Sequence, residues 1–152
     1  MHKLQTPEDV YRALAAQGVY EEAHFDKDEV KKVLLMARED YEFGKSLRKM
    51  KNPSWRVIFN IHYDAFRELC DQLLRFERQK SSNHQGVFAV IMLHYKDLEF
   101  DWDFLESIRL VRNKNKYQGL DVSQQTWKSV EMQFDLYISA VKNEIEKRLK
   151  AV

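Results

Sequence analysis

Apolar and polar positions recur with a helical period along most of the chain. Thr6-Pro7-Glu8-Asp9 reads as a helix start: a Thr cap, Pro at the first position, acids in the first turn. This short helix is expected to reach about Gln17, where Gly18 stops it. Asp26 and Glu29 resemble a second capping box, after which Val30, Val33, Leu34, Ala37 and Tyr41 keep helical spacing. The helix they predict continues to about Met50, and Asn52-Pro53 breaks it. Ser54 then caps a long helix to about Gln79. Ile58, His62, Ala65, Leu69, Leu73 and Phe76 lie on its stripe, widened by Ile61, Phe66 and Leu74. The turn Ser81-Ser82-Asn83 leads into a shorter apolar helix from about His84 to Tyr95. Asp101 opens another, with Trp102, Leu105, Ile108 and Val111 inward, ending near Tyr117-Gln118-Gly119. Ser123 caps the last helix, where Trp127, Val130, Phe134, Tyr137, Val141, Ile145 and Leu149 recur with a nearly heptad step.

No segment alternates with period two for long enough to predict a strand. The expected fold is therefore all-α: an up-and-down bundle of about four to five helices over residues 26–152. Residues 1–25 form a short N-terminal helical arm, acidic at Glu8, Asp9, Glu21 and Glu22, that packs on the outside. Composition agrees. Hydrophobic residues make up 44% of the chain, enough for a core, and 4 Gly with 2 Pro are too few for a turn-rich β-architecture.

The same counts exclude several chemistries. The one cysteine, Cys70, forms neither an internal disulfide nor a multi-Cys zinc site. Gly18, Gly44, Gly86 and Gly119 are too far apart for a dinucleotide-binding or phosphate-binding glycine loop. The five histidines form no HExxH and no i, i+4 pair, so neither a metal nor another cofactor is expected. Asp101-Trp102-Asp103 has the spacing of a magnesium-binding carboxylate pair. The Gly-Ser turn of nucleotidyltransferases is missing upstream, and acids at a helix start explain both residues. The longest apolar run, Val87 to Leu93, is far short of the roughly 18 residues a membrane span needs. MHKLQTPEDV carries no secretory apolar stretch, so a cytoplasmic protein without membrane contact is expected.

Net charge is only +1, so a polyanion site has to arise from local clustering. One basic cluster is Lys45, Arg48, Lys49, Lys51 and Arg56, around the break at Pro53. The other is Arg109, Arg112, Lys114 and Lys116 with Asn113 and Asn115 between them. Arg109, Arg112, Asn113 and Lys116 step by three or four and share a helix face. Arg forks beside amides suit a phosphate, and cations near a helix C-terminus also suit the dipole alone.

The stretch from Phe104 to Tyr117, with Arg112-Asn113 and then Tyr117, resembles the closing motif of HEPN domains. That signature is an Arg-Asn pair late in a helix, followed after a short gap by a His or, in some branches, a Tyr. Ile61 to Leu69 resembles the family's long central helix, and Ser82-Asn83-His84-Gln85-Gly86 its loop-to-helix entry. The resemblance covers about residues 30–150. It implies an all-α homodimer acting on RNA or a nucleotide without metal. Arg112 would meet the phosphate and Asn113 would position it. Tyr117 holds the place of the proton-transfer His. A Tyr with ordinary pKa near 10 is a poor base at neutral pH. His62, aimed inward from the central helix, is the expected substitute, while His84 is read as a helix-start residue and His94 as a surface residue. Two functions follow. One is a metal-independent ribonuclease of toxin type, with Arg112, Tyr117 and His62 catalytic and Arg109, Arg112, Asn113 and Lys116 binding RNA. The other is a non-catalytic binding or scaffold module partnering a small nucleotidyltransferase.

Overall fold

The computed structural model describes residues 5–152, and it is a helical bundle. Six helices follow one another: α1 (Pro7–Ala16), α2 (Lys27–Leu47), α3 (Trp55–Phe76), α4 (His84–His94), α5 (Trp102–Tyr117) and α6 (Gln124–Lys150). Each begins on a side-chain cap of the expected kind. Thr6 accepts from the Asp9 amide, Asp26 from Asp28 and Glu29, and Ser54 from Val57. Asn83 accepts from Gly86, Asp101 from Asp103, and Ser123 from Thr126. These bonds satisfy amides that a helix start leaves without carbonyl partners. Asp101 and Asp103 thus belong to a cap. Among the described residues no group of three His, Cys, Asp or Glu could hold a metal ion.

α3 is the central helix. Ile58, Phe59, Tyr63, Phe66, Leu69, Leu73 and Leu74 are all buried along it, against Val87 and Phe88 of α4, Leu105 and Ile108 of α5, and Trp127 and Phe134 of α6. A stripe on one face does not describe it, because neighbours cover it on several sides. α2 and α5 run antiparallel to α3. Tyr41 stacks edge-on to His62 while Phe25, before α2, meets Phe76, and Asn115 near the end of α5 meets Asn60 near the start of α3.

α4 departs from the up-and-down order. Tyr63 meets His84 at the start of α4, and Leu73 meets Tyr95 just past its end, so α3 and α4 point the same way. Residues 77–83 carry the chain back along α3, beginning at Arg78, whose φ of 56° is left-handed. This return contains β2 (Gln79–Lys80), which pairs antiparallel with β1 (Glu21–Glu22) in the register Glu21↔Lys80 and Glu22↔Gln79. Two residues per strand are too few to leave an alternating pattern in sequence.

The pairing also fixes the segment leading to residue 25. Val10 and Leu14 of α1 are buried against Ala89 of α4, and the Tyr20 hydroxyl donates to the Gly86 carbonyl at 2.8 Å. Residues 5–25 therefore brace α4 from behind.

Candidate functional site

α4 begins where it does because residues 77–83 return the chain to the middle of α3. Its first turn then faces the second half of α5. Between them lies a cleft of about 250 Å³. Ser82, Asn83, His84 and Gln85 form one wall, and Arg109, Arg112, Asn113 and Tyr117 form the other. Gln85 Nε2 donates to Glu106 Oε2 at 3.0 Å and ties the two walls together. At the far end of α5, Asn60 and Asn115 exchange reciprocal amide hydrogen bonds at 3.0 Å in the interior. That buried pair pins the last turns of α5 to α3 and sets the height of Arg112 and Tyr117.

The two arginines differ. Arg109 is committed, with Nε and Nη2 donating to the two oxygens of Glu106 at 3.1 and 2.9 Å. Arg112 is held loosely. Its Nε stands 3.7 Å from Asp64 Oδ1, beyond hydrogen-bond reach, and its guanidinium lies 5.5 Å from the centre of the Tyr63 ring. Arg112 Nε is buried and has no hydrogen-bond partner among the described residues, although the side chain opens at 16% exposure onto the cleft. A group of this kind costs about 1–3 kcal/mol until an acceptor reaches it.

His84 is the cleft's titratable ring. Its Nδ1 lies 3.0 Å from the Tyr63 hydroxyl. Burial pushes its pKa down to about 4, helped by the positive fields of Arg67, Arg112 and Arg109. Burial likewise raises the Tyr63 phenol, so Tyr63 keeps its proton, and the phenol either donates to Nδ1 or accepts from it according to the His84 tautomer. With the phenol donating, the proton of the neutral imidazole sits on Nε2 and that edge of His84 is a donor; with the phenol accepting, Nε2 is a base. The amides of His84 and Gln85 add the positive end of α4, since Asn83 Oδ1 takes only the amide of Gly86. The Arg112 guanidinium, a helix N-terminus and a neutral histidine together make a site that suits an oxyanion.

The structure thus places Arg109, Arg112, Asn113 and Tyr117 on one cleft. It leaves Lys116 exposed and outside that lining. Tyr117 is 77% exposed at the rim.

His62 is elsewhere, and its expected place beside the Arg112 fork is corrected. It is fully buried on the side of α3 that faces α2 and α6. Nδ1 donates to the Ile58 carbonyl at 2.8 Å, so Nε2 accepts from Arg48 Nη2 at 2.6 Å. Arg48 also grips both oxygens of Asp135, at 2.7 and 3.0 Å, and the Tyr41 hydroxyl donates to Asp135 at 2.7 Å. Burial drives the His62 pKa to about 4, against a raising contribution from Ile58 and with a lowering one from Arg48. Burial works to raise the Asp135 carboxyl, but hydrogen bonds from Arg48 and Tyr41 outweigh it and hold it below its ordinary value. Both ring nitrogens of His62 are occupied, so it has nothing to offer a ligand.

His84, read from sequence as a helix-start residue, does begin α4 and in addition lines the cleft with Gln85, while Tyr63 is the buried residue behind it that sequence reasoning did not single out as a site residue. The signal was present in Ser82-Asn83-His84-Gln85, a polar entry followed by a helix whose N-terminal end had to face something.

No helix among the described residues is long and apolar enough to cross a membrane. Compared with family models, curated proteins and solved structures, the chain matches none.

Proposed function

We propose that the chain is an HEPN-like module whose cleft binds a backbone phosphate of RNA or the phosphate of a nucleotide. The observation that carries this reading is Arg112, whose guanidinium is paired among the described residues only with Asp64, at 3.7 Å, and lines the same cleft as His84 and the N-terminus of α4. A phosphate oxygen in the cleft gives the Arg112 guanidinium an acceptor, and the amides of α4, with His84 Nε2 where it carries the proton, surround it with donors. Tyr117 at the rim offers a ring on which a base can stack. Tyr117 at the cleft and Leu110 and Leu120, on and just past the same helix, are exposed and give a second copy of the chain an apolar surface to cover, so we propose a homodimer with the cleft at its seam.

The tautomer of His84 separates binding from cleavage. With Tyr63 donating to Nδ1, His84 presents a proton at Nε2, whereas attack by a ribose 2′-hydroxyl needs a base there. A ribonuclease is the second reading, favoured by a neutral imidazole beside an arginine. It requires the proton to move to Nδ1, with the Tyr63 oxygen accepting.

The test is incubation of single-stranded RNA with the purified chain in EDTA, following binding and products together. Arg112→Ala is expected to weaken binding about tenfold or more, the loss of a charge-assisted fork. RNA recovered intact from wild type supports the binding module. Products that vanish in His84→Ala select the ribonuclease. Binding that is indifferent to Arg112→Ala and His84→Ala overturns the site.

A further inference from the structure

The basic cluster around Pro53 takes no part in the cleft. It belongs to a separate cavity of about 520 Å³, roughly twice the cleft's 250 Å³, where α2 ends and both α3 and α6 begin. Its walls include Arg48, Asn52, Trp55, Gln124 and Lys128. Arg48 is a fixed cation there. Its inner edge is clamped by Asp135 and His62, and its Nε is buried without a partner among the described residues. Lys128 is the exposed cation. It is 55% exposed, 3.5 Å from Glu131, and its ammonium stands 6.0 Å from the centre of the Trp55 ring.

Two helix N-termini open at this place. Ser54 takes the Val57 amide and Ser123 takes the Thr126 amide. The amides of Trp55, Arg56, Gln124 and Gln125 are left without a partner among the described residues. α1, α2 and α5 each carry acids in the first turn that offset their dipoles, whereas α3 and α6, like α4 at the cleft, carry none. The C-terminal end of α2 adds little opposing charge, because its last carbonyls are taken by the amides of Arg48, Lys49 and Met50. Exposed Lys49 and Lys51 extend the positive surface outward.

An aromatic wall, an exposed ammonium and two helix N-termini without acids in their first turns match the two halves of one ligand, a planar base and a phosphate, with Asp121 beside Arg56 as the nearest opposing charge at the helix starts. The volume is in the range of small-molecule sites. We propose that this cavity is a second nucleotide-binding site, with Trp55 carrying the base and Lys128 and the N-termini of α3 and α6 holding the phosphate. The nucleotide is either free or one residue of an RNA strand. The site shares no lining residue with the cleft, so it stands whether or not the cleft binds phosphate.

The test uses the full chain carrying Arg112→Ala, which silences the cleft. The indole N–H signal of Trp55, assigned with Trp55→Phe, is followed by NMR during additions of adenosine 5′-monophosphate, a ten-nucleotide oligoadenylate and inorganic phosphate. A saturable shift with the mononucleotide identifies a free-nucleotide site, and a shift with the oligonucleotide alone identifies part of an RNA path. In either case Lys128→Glu, at an exposed position that does not threaten folding, is expected to weaken the effect about fivefold or more. The proposal is overturned if neither nucleotide moves the signal at millimolar concentration. It is equally overturned if inorganic phosphate moves it as far as the mononucleotide does, or if Lys128→Glu leaves the affinity unchanged.

Discussion

His62 and His84 have the same charge state for the same first reason. Burial drives each pKa to about 4, so each is neutral at physiological pH. Their hydrogen bonds separate them. His62 has both nitrogens taken, by Ile58 and Arg48, inside a network that joins α2, α3 and α6. His84 has one nitrogen taken by Tyr63 and lines an open cleft. A perturbed pKa therefore marks desolvation, and an unfilled hydrogen-bonding position is what marks availability to a ligand.

The largest effect that sharpens this contrast is truncation of the interior ring. His62→Ala removes a fully buried side chain and strips Arg48 and Ile58 of a partner. We expect a loss of about 3 kcal/mol or more in urea unfolding. His84→Ala, at the half-open end of α4, is expected to cost clearly less. Equal losses in the two variants would erase the distinction between a structural and an available histidine.

pH acts in the same direction on both rings. A folded-state pKa of about 4 against an ordinary 6.5 means the unfolded chain takes up the proton first. The stability that His62 contributes is complete above about pH 6.5 and is lost as pH falls toward 4. That gap corresponds to roughly 3 kcal/mol. Unfolding midpoints measured from pH 7 to pH 4 should fall, and His62→Gln should flatten the decline. A variant that keeps the full wild-type slope would show that His62 does not carry it.

Gly44 tests how tightly the interior ring is packed. A Cβ built there would lie 2.9 Å from His62 Cε1 and 2.9 Å from Ile61 Cγ2. Gly→Ala inside a helix ordinarily stabilises by up to about 1 kcal/mol. Here α2 and α3 would have to part, and we expect a net loss of about 1–2 kcal/mol by thermal or urea unfolding. A stabilised Gly44→Ala protein would mean that α2 has room to shift and that His62 is less firmly fixed than its contacts require.

The fold was largely legible because its signals are local. Thr6, Asp26, Ser54, Asp101 and Ser123 each announced a helix start, and each caps one. The parallel course of α3 and α4 was not legible, since it depends on how residues 77–83 return along the bundle and on a two-residue strand pair. The misreading of His62 has the same origin. Helical spacing shows that a residue points inward and not which neighbour it meets. His62 and Tyr63 are adjacent in sequence, yet roughly 100° of helix rotation sends one to Arg48 and the other to His84. Arg109, Arg112, Asn113 and Tyr117 were legible as a set because they share one helix. His84 came from another helix, and only tertiary structure joins the two.

Tyr117 gives the smallest stability effect and separates the two roles a rim aromatic could play. Its side chain is 77% exposed, so neither Tyr117→Phe nor Tyr117→Ala should change stability by more than about 0.5 kcal/mol. If the ring stacks on a base, Phe should preserve RNA affinity, because both rings present a π-face. Ala should weaken it by the roughly 1–3 kcal/mol that one stacked base contributes, about five- to a hundredfold. If the hydroxyl instead donates to the phosphate held at Arg112, Phe and Ala should weaken binding alike. The position of Tyr117 at the mouth of the cleft, beyond the donors of Arg112 and His84, favours stacking. Affinities of the two variants for one short oligonucleotide, measured at a fixed salt concentration, decide it. A Phe variant as weak as the Ala variant would move Tyr117 from the rim into the phosphate site itself.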